Sequence, residues 1–233
     1  MLNDSDEWPR RSLLGALSPH ARGDLLGLGT EVRFEAGAVL LREGMDDRHV
    51  LVVTSGFAKV TATVENGETS LLAVRAAGDT VGEMAAMDGT ARSATVTACV
   101  PLTARVVQAG ALRELLLRRP EISMALTGMV ANRLRWSNRR RLDFRGYPAK
   151  VRLARLLVEL ADVYGSSRAS SVVIGCRLTQ PELATLIGAS VTTIQKVLRE
   201  LRAGGLLETG YRSTVIRQPR LLRRLADLPD EGP

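Results

Sequence analysis

His20 and His49 are the only histidines in the chain, and that scarcity excludes a histidine-rich metal site. No nucleophile–base pair, metal-ligand cluster or phosphate-cradling P-loop can be assembled from the other residues, so no enzyme and no cofactor are expected. Cys99 and Cys176 lie 77 positions apart with no partner pattern. They suit buried thiols in a reducing cytoplasm rather than a disulfide framework or a zinc site. Aromatic residues make up 3% of the chain, too few for base stacking to be the main binding mode. No apolar run reaches the roughly 18 residues of a transmembrane helix. Met1 to Trp8 is acidic and polar, the opposite of a secretory signal. A cytoplasmic protein with no membrane partner is expected.

Charge is plentiful and unevenly placed. The 233 residues suit one large domain or two small ones. Residues 1–109 carry 10 basic and 14 acidic side chains, whereas residues 110–233 carry 22 basic and 11 acidic. A half with a net charge of +11 beside one of −4 suggests that the C-terminal part meets a polyanion. The alternative is a surface kept soluble by its charge.

Ser12 to Leu28 reads as helix, restarted at Ser18-Pro19, where Ser caps and Pro takes the first helical position. From Thr30 to Gln108 short β-branched runs alternate with glycine turns. The runs are 32–35, 39–42, 49–55, 58–64, 69–74, 80–81, 93–100 and 102–107, with Asn66-Gly67 marking a hairpin. About eight short strands at this spacing predict a small barrel or jelly roll.

Leu112–Arg119 is a short predicted helix, and Glu121 to about Arg145 a long one. Its apolar positions Leu126, Met129, Val130, Leu134 and Leu142 predict a seam paired with a second copy, the alternative being packing on its own barrel. The cluster Arg133, Arg135, Arg139, Arg140, Arg141 and Arg145 reads first as a solvated face. Gly146-Tyr147-Pro148 forms a hinge. Beyond it, Lys150–Tyr164 is an amphipathic helix showing Val151, Ala154, Leu157, Val158 and Ala161 on one face. A polar loop from Gly165 to Ser171 and a strand Val172–Cys176 follow.

Thr179-Gln180-Pro181-Glu182 has the form of a capping box. The helix it starts ends at Ile187-Gly188, and Ser190 caps a second helix reaching about Ala203. This is helix-turn-helix spacing, with Leu183, Ile187, Ile194, Val197, Leu198 and Leu201 in the core. Small Ala184 and Gly188 stand where the helices cross. The outward face presents Val191, Thr192, Gln195, Lys196 and Arg199. Short polar residues followed by cations suit entry into the DNA major groove by the helix N-terminal end. Thr179, Gln180, Ser190 and Thr193 complete the candidate DNA-binding set. Leu206–Thr209 and Thr214–Arg217, flanking Gly210-Tyr211-Arg212-Ser213, form a wing, and a basic helix from Arg220 to Leu228 closes the chain.

The stretch Val81 to Ala94 organises the N-terminal half. Glu83 offers an acceptor for a sugar hydroxyl, and Arg92 a planar cation for a phosphate. Backbone N–H groups around Gly82 and Ser93 can complete an anion nest. The plain alternative is a surface crossover in which Glu83 and Arg92 pair with each other.

From roughly Leu13 to Leu228 the chain resembles the CRP/FNR family of bacterial transcription regulators. The resemblance rests on Gly82-Glu83-Met84-Ala85 with Arg92-Ser93-Ala94, on Gly78-Asp79-x-x-Gly82, on Gly44 and Gly56, and on the helix-turn-helix. It implies an α+β protein comprising a cyclic-nucleotide-binding β-roll (jelly roll) in 1–119, a dimerisation helix and hinge in 120–147, and a winged helix-turn-helix in 148–233. Carried over, Glu83 accepts from a ribose 2′-hydroxyl, Arg92 and Ser93 hold the cyclic phosphate, and Gly82 and Met84 line the turn. Ser137 and Asn138 stand where the family's cyclic-AMP sensors carry two adjacent hydroxyl residues that reach adenine.

The implied effector is cyclic AMP, with cyclic GMP, cyclic di-GMP or ligand independence as alternatives. The implied partners are double-stranded DNA with a pseudo-palindromic operator, a second copy and RNA polymerase. Val191-Thr192-x-x-x-Lys196 stands where regulators of the best-known half-site show Arg-Glu-x-x-x-Arg, which implies a different operator. Cluster-binding cysteines and a haem-ligating histidine near the dimer helix, required by other branches of the family, are absent from this sequence.

Overall fold

The computed structural model describes residues 8–9, 12–168, 170–176, 178–210 and 214–228. It divides into two compact units, one through Leu134 and the other from Arg135. Helix α1 (Leu13–Ala16) and helix α2 (Pro19–Leu26) open the first unit, each capped by the serine before it, Ser12 and Ser18. Eight strands follow: β1 (Thr30–Phe34), β2 (Val39–Leu41), β3 (Val50–Ser55), β4 (Phe57–Thr63), β5 (Thr69–Ala76), β6 (Thr80–Val81), β7 (Thr95–Ala98) and β8 (Leu102–Val107). Helix α3 (Glu83–Asp88) separates β6 from β7.

The strands form two antiparallel four-stranded sheets, ordered β1-β8-β3-β6 and β2-β7-β4-β5. A core of Leu41, Leu51, Val53, Ala58, Val96 and Ala104 draws residues from both sheets, as two facing layers of a roll require. The hairpin expected at Asn66-Gly67 joins β4 to β5, with Gly67 at φ +84° and the Asn66 side chain accepting from the Glu68 N–H.

Behind the roll, a second core joins Val50, Val52 and Val107 to the helices, including α4 (Ala109–Arg118) and the start of α5 (Pro120–Gly146). Here the expected dimer seam needs correction. Leu126 and Met129 are buried in this core and Val130 packs against it, whereas Leu134 and Leu142 are exposed. Ile122, Leu126 and Met129, spaced four and three, face the helix inward. The helix therefore takes part of its expected seam from its own roll.

The second unit contains the end of α5, then α6 (Ala149–Tyr164), β9 (Gly165–Arg168), β10 (Ser171–Ile174), α7 (Gln180–Ile187), α8 (Val191–Ala203), β11 (Leu207–Thr209), β12 (Thr214–Ile216) and α9 (Pro219–Leu225). The buried face of α6 is Leu153, Ala154, Leu156, Leu157, Val158 and Leu160. It is rotated from the expected one, because Val151 and Ala161 are only half-buried. The expected polar loop at 165–171 is largely strand. β9 pairs with β10, so cross-strand bonding overrides the weak strand preference of Gly and Ser. The sheet order is β11-β12-β10-β9. The expected wing strands are β11 and β12, and its tip at Tyr211, Arg212 and Ser213 lies outside the described residues.

Candidate ligand pocket and nucleic-acid interface

In the first unit a half-open pocket is lined by residues including Val60, Arg75, Gly82, Arg92, Ser93 and Arg133. Gly82, at φ +83°, turns the chain from β6 into α3. A Cβ here would stand 2.5 Å from the Arg92 Nη1, so this glycine serves both the left-handed turn and the close approach of the guanidinium.

Arg92 is 3% exposed and its three guanidinium nitrogens all have partners. Nε donates to Asp47 Oδ1 at 2.7 Å, Nη1 to the Gly82 carbonyl at 2.8 Å, and Nη2 to the His49 carbonyl at 2.6 Å. Backbone bonds Arg92 N–H to Met45 O and Gly44 N–H to Arg92 O stitch the same loop to it. Burial pushes the His49 imidazole below its ordinary range, against the pull of the Asp47 charge, while the Arg92 charge adds to the lowering.

Glu83 is 5% exposed. Its Oε1 accepts from Arg133 Nη1 at 2.6 Å, while Oε2 is buried without a hydrogen-bond partner. Arg133 also donates to the Thr80 carbonyl at 2.8 Å and lies 3.9 Å from Asp79 Oδ1. Burial and the nearby Arg75 charge push the Arg133 guanidinium below its ordinary value, while Glu83 and Asp79 oppose them. Glu83 and Arg92 therefore do not form a surface pair. Each is buried and holds a different partner.

The second unit builds its helix pair as the capping signals require. The Thr179 hydroxyl accepts from the Glu182 N–H, and Glu182 Oε2 accepts from the Thr179 N–H at 2.7 Å. Gly188 closes α7 at φ +61°, and Ser190 caps α8. Gly188 is exposed rather than set in a helix crossing, with the Phe144 ring about 3.2 Å from where its Cβ would stand. Leu183, Ala184, Ile187, Ile194, Val197, Leu198 and Leu201 are buried. Val191, Thr192, Gln195, Lys196 and Arg199 are exposed on the opposite side of α8.

The description "cyclic nucleotide-binding domain" fits residues 31–119, and "Crp-like helix-turn-helix domain" fits residues 151–225. A CRP-like cAMP-activated global transcriptional regulator of Mycobacterium tuberculosis is 28% identical over 217 residues, covering 93% of this chain and 97% of the relative. The crystal structure of a CRP/FNR-family transcriptional regulator from Thermus thermophilus superposes with a TM-score of 0.69 at 26% identity, covering 85% of this chain and 98% of that one. The c-di-GMP responsive global regulator of Xanthomonas campestris shares the fold, with a TM-score of 0.70 at 21% identity over 85% of this chain and 99% of that one. The chain belongs to the CRP/FNR family of transcription regulators.

It is thus a DNA-binding transcription regulator of that family carrying a cyclic-nucleotide-binding domain. The family consists of regulators, not enzymes. Among the described residues no helix is long and apolar enough to cross a membrane. Of the expected ligand set, Gly82, Arg92 and Ser93 line the cavity, Glu83 borders it through Arg133, and Met84 is 53% exposed and is not among the lining residues. Ser137 and Asn138 are exposed on the part of α5 that belongs to the second unit. Of the expected DNA set, the Thr179 and Ser190 side chains cap helices, Thr193 is half-buried against Ser190, and Gln180 is half-buried.

Three residues at this site, the Arg92 partner Asp47 and the pocket-lining Arg75 and Arg133, escape the sequence reading. Asp47 carries only the weak signal of a polar loop between two strands. Arg75 breaks the apolar alternation of its strand. Arg133 is hidden within an arginine-rich helix read as solvated. That reading of the arginines is corrected for two of them: Arg133 turns into the pocket, and Arg140 stacks on Trp136 at 4.3 Å, burial lowering it to about 10.

Proposed function

We propose that the protein is a homodimeric, sequence-specific regulator whose affinity for a pseudo-palindromic operator is set by a cyclic purine nucleotide in the cavity. The observation that carries this reading is Glu83 Oε2, a buried acceptor left without a donor in the turn whose Gly82 lines the pocket together with Arg92 and Ser93. Buried polar atoms without partners are rare and call for a cause. A ribose hydroxyl supplies the missing donor, and Ser93 and Arg92 supply donors for the ring phosphate. Cyclic AMP draws support from the name of the Mycobacterium tuberculosis relative. Cyclic GMP is the second reading, favoured by the guanidinium of Arg75 on the cavity wall.

Dimerisation is supported by Met124, Thr127, Ala131 and Leu134, a stripe of α5 at spacings of three and four. Met124 and Leu134 are 73% and 61% exposed. A second copy of the stripe would cover it in coiled-coil fashion. The exposed face Val191, Thr192, Gln195, Lys196 and Arg199 suits the major groove, with the half-sites one helical turn apart, about 34 Å. RNA polymerase is the partner that operator binding implies in this family.

Calorimetry with cyclic AMP, cyclic GMP and cyclic di-GMP tests the proposal. Wild type should bind at least one of them, and Glu83→Gln should bind about tenfold or more weakly, as loss of a hydrogen bond to a charged acceptor predicts. Wild type that binds none of the three, or Glu83→Gln with unchanged affinity, overturns it.

A further inference from the structure

The cavity floor is a cross-strand row of apolar residues. Leu41 pairs with Val96, Val96 with Val60, and Val60 with Ala73. Leu41, Val60 and Val96 all line the cavity. An apolar row of this kind suits the face of a purine and leaves the polar edge of the base to be met by other lining residues.

Arg75 lies beside that row and is one of the lining residues. Along β5 Ala73, opposite Val60, is 6% exposed, and Arg75 takes the next position on the same face. It lies opposite Ala58, which is fully buried, so the register also places Arg75 on the inner face of the sheet. An arginine where the alternation asks for an apolar residue needs a reason. Its Nη1 donates to the carbonyl of its own neighbour Val74 at 2.9 Å. Among the described residues its Nε–Nη2 edge makes no hydrogen bond and it has no carboxylate partner within an ion-pair distance. It also sits close enough to Arg133 to disfavour that charge. Arg92 and Ser93 come from the segment after α3, so a cation on β5 meets a different part of a bound nucleotide.

We propose that Arg75 reads the base, with its free Nε–Nη2 edge donating to O6 and N7 of guanine. Resting on the nucleotide reading of the cavity, this adds a specificity residue to it. A guanidinium has donors only. Guanine presents two adjacent acceptors on its O6/N7 edge, whereas adenine presents N7 beside an N6 donor that faces the same guanidinium unproductively. The guanine can come from cyclic GMP or from cyclic di-GMP.

The test is calorimetry of the full chain with cyclic AMP, cyclic GMP and cyclic di-GMP, on wild type, Arg75→Leu and Arg75→Lys. Arg75→Leu should shift the ratio of guanine to adenine nucleotide affinity toward adenine by at least about fivefold, the lower end of a bidentate base contact. Arg75→Lys, a point charge without the fork, should lose most of the same discrimination. Whichever guanine nucleotide loses more affinity identifies the source of the base. Equal loss for all three nucleotides in Arg75→Leu means attraction to phosphate, and a ratio kept by Arg75→Lys means charge without base reading. Either overturns the proposal while the nucleotide reading stands. Wild type that binds none of the three overturns both.

Discussion

Replacing Arg133 with Met removes the guanidinium from Glu83 while keeping most of the side-chain stem. The pair is short, at 2.6 Å, with side-chain exposures of 20% for Arg133 and 7% for Glu83. Removing one member of a buried pair costs about 3–5 kcal/mol, because the other charge stays buried and alone. The partial exposure of Arg133 lets water reach the vacated space, so about 3 kcal/mol is expected, which corresponds to a fall of roughly 6–12 °C in Tm. Glu83→Gln alone should cost less, since Arg133 keeps the Thr80 carbonyl and the more distant Asp79. The double variant should recover roughly half of the Arg133→Met loss, a coupling energy of about 1.5 kcal/mol plus the cost of Glu83→Gln alone.

Urea denaturation followed by tryptophan emission measures each term. Trp8 packs against the helical core of the first unit, and Trp136 lies in the second. A Trp136→Phe background therefore confines the signal to the unit that holds the pair. Coupling below about 0.5 kcal/mol lies within ordinary additivity and would refute a direct energetic link between α5 and the pocket. So would an Arg133→Met variant as stable as wild type.

Two further outcomes follow from the same loop. Gly82→Ala places a Cβ at φ +83° and 2.5 Å from the Arg92 guanidinium. It should cost about 2 kcal/mol or more and weaken nucleotide binding; an alanine variant with wild-type Tm and affinity would count against this account of the turn. His49 has a folded-state pKa below its ordinary value near 6.5, chiefly from burial. Above pH 6.5 both states hold a neutral imidazole and His49 contributes no pH dependence. On acidification from pH 6.5 toward the folded value the unfolded chain binds the proton first, so stability is lost. Between pH 7.5 and 5.5, His49→Gln should show a smaller fall in Tm than wild type, and an identical fall would refute the assignment.

The roll and the helix pair were legible because local signals and tertiary structure agree. Glycine turns punctuate eight short strands, and Thr179, Glu182, Gly188 and Ser190 each cap or close a helix end as their side chains favour. The phase of α5 was not legible. Its sequence carries two interleaved stripes at helical spacing: Ile122, Leu126 and Met129, which meet the core, and Met124, Thr127, Ala131 and Leu134, which do not. Either satisfies the periodicity, and only packing on Val50, Val52 and Val107 selects the first.

That choice of phase also settles the electrostatics of the pocket. With Leu126 and Met129 buried, Arg133 falls four residues beyond Met129 on the same side of the helix, over α3. It thereby reaches Glu83, which the sequence assigned to a ligand or, as the plain alternative, to Arg92. The same carboxylate has one oxygen held by α5 and the other buried without a hydrogen-bond partner. A hydroxyl bound to Oε2 adds to the Arg133 contact on Oε1 rather than displacing it, because the two use different lone pairs. Nucleotide binding on this geometry should therefore tighten the link between α3 and α5, and ligand-dependent stabilisation of the first unit should shrink in Arg133→Met even where the nucleotide still binds.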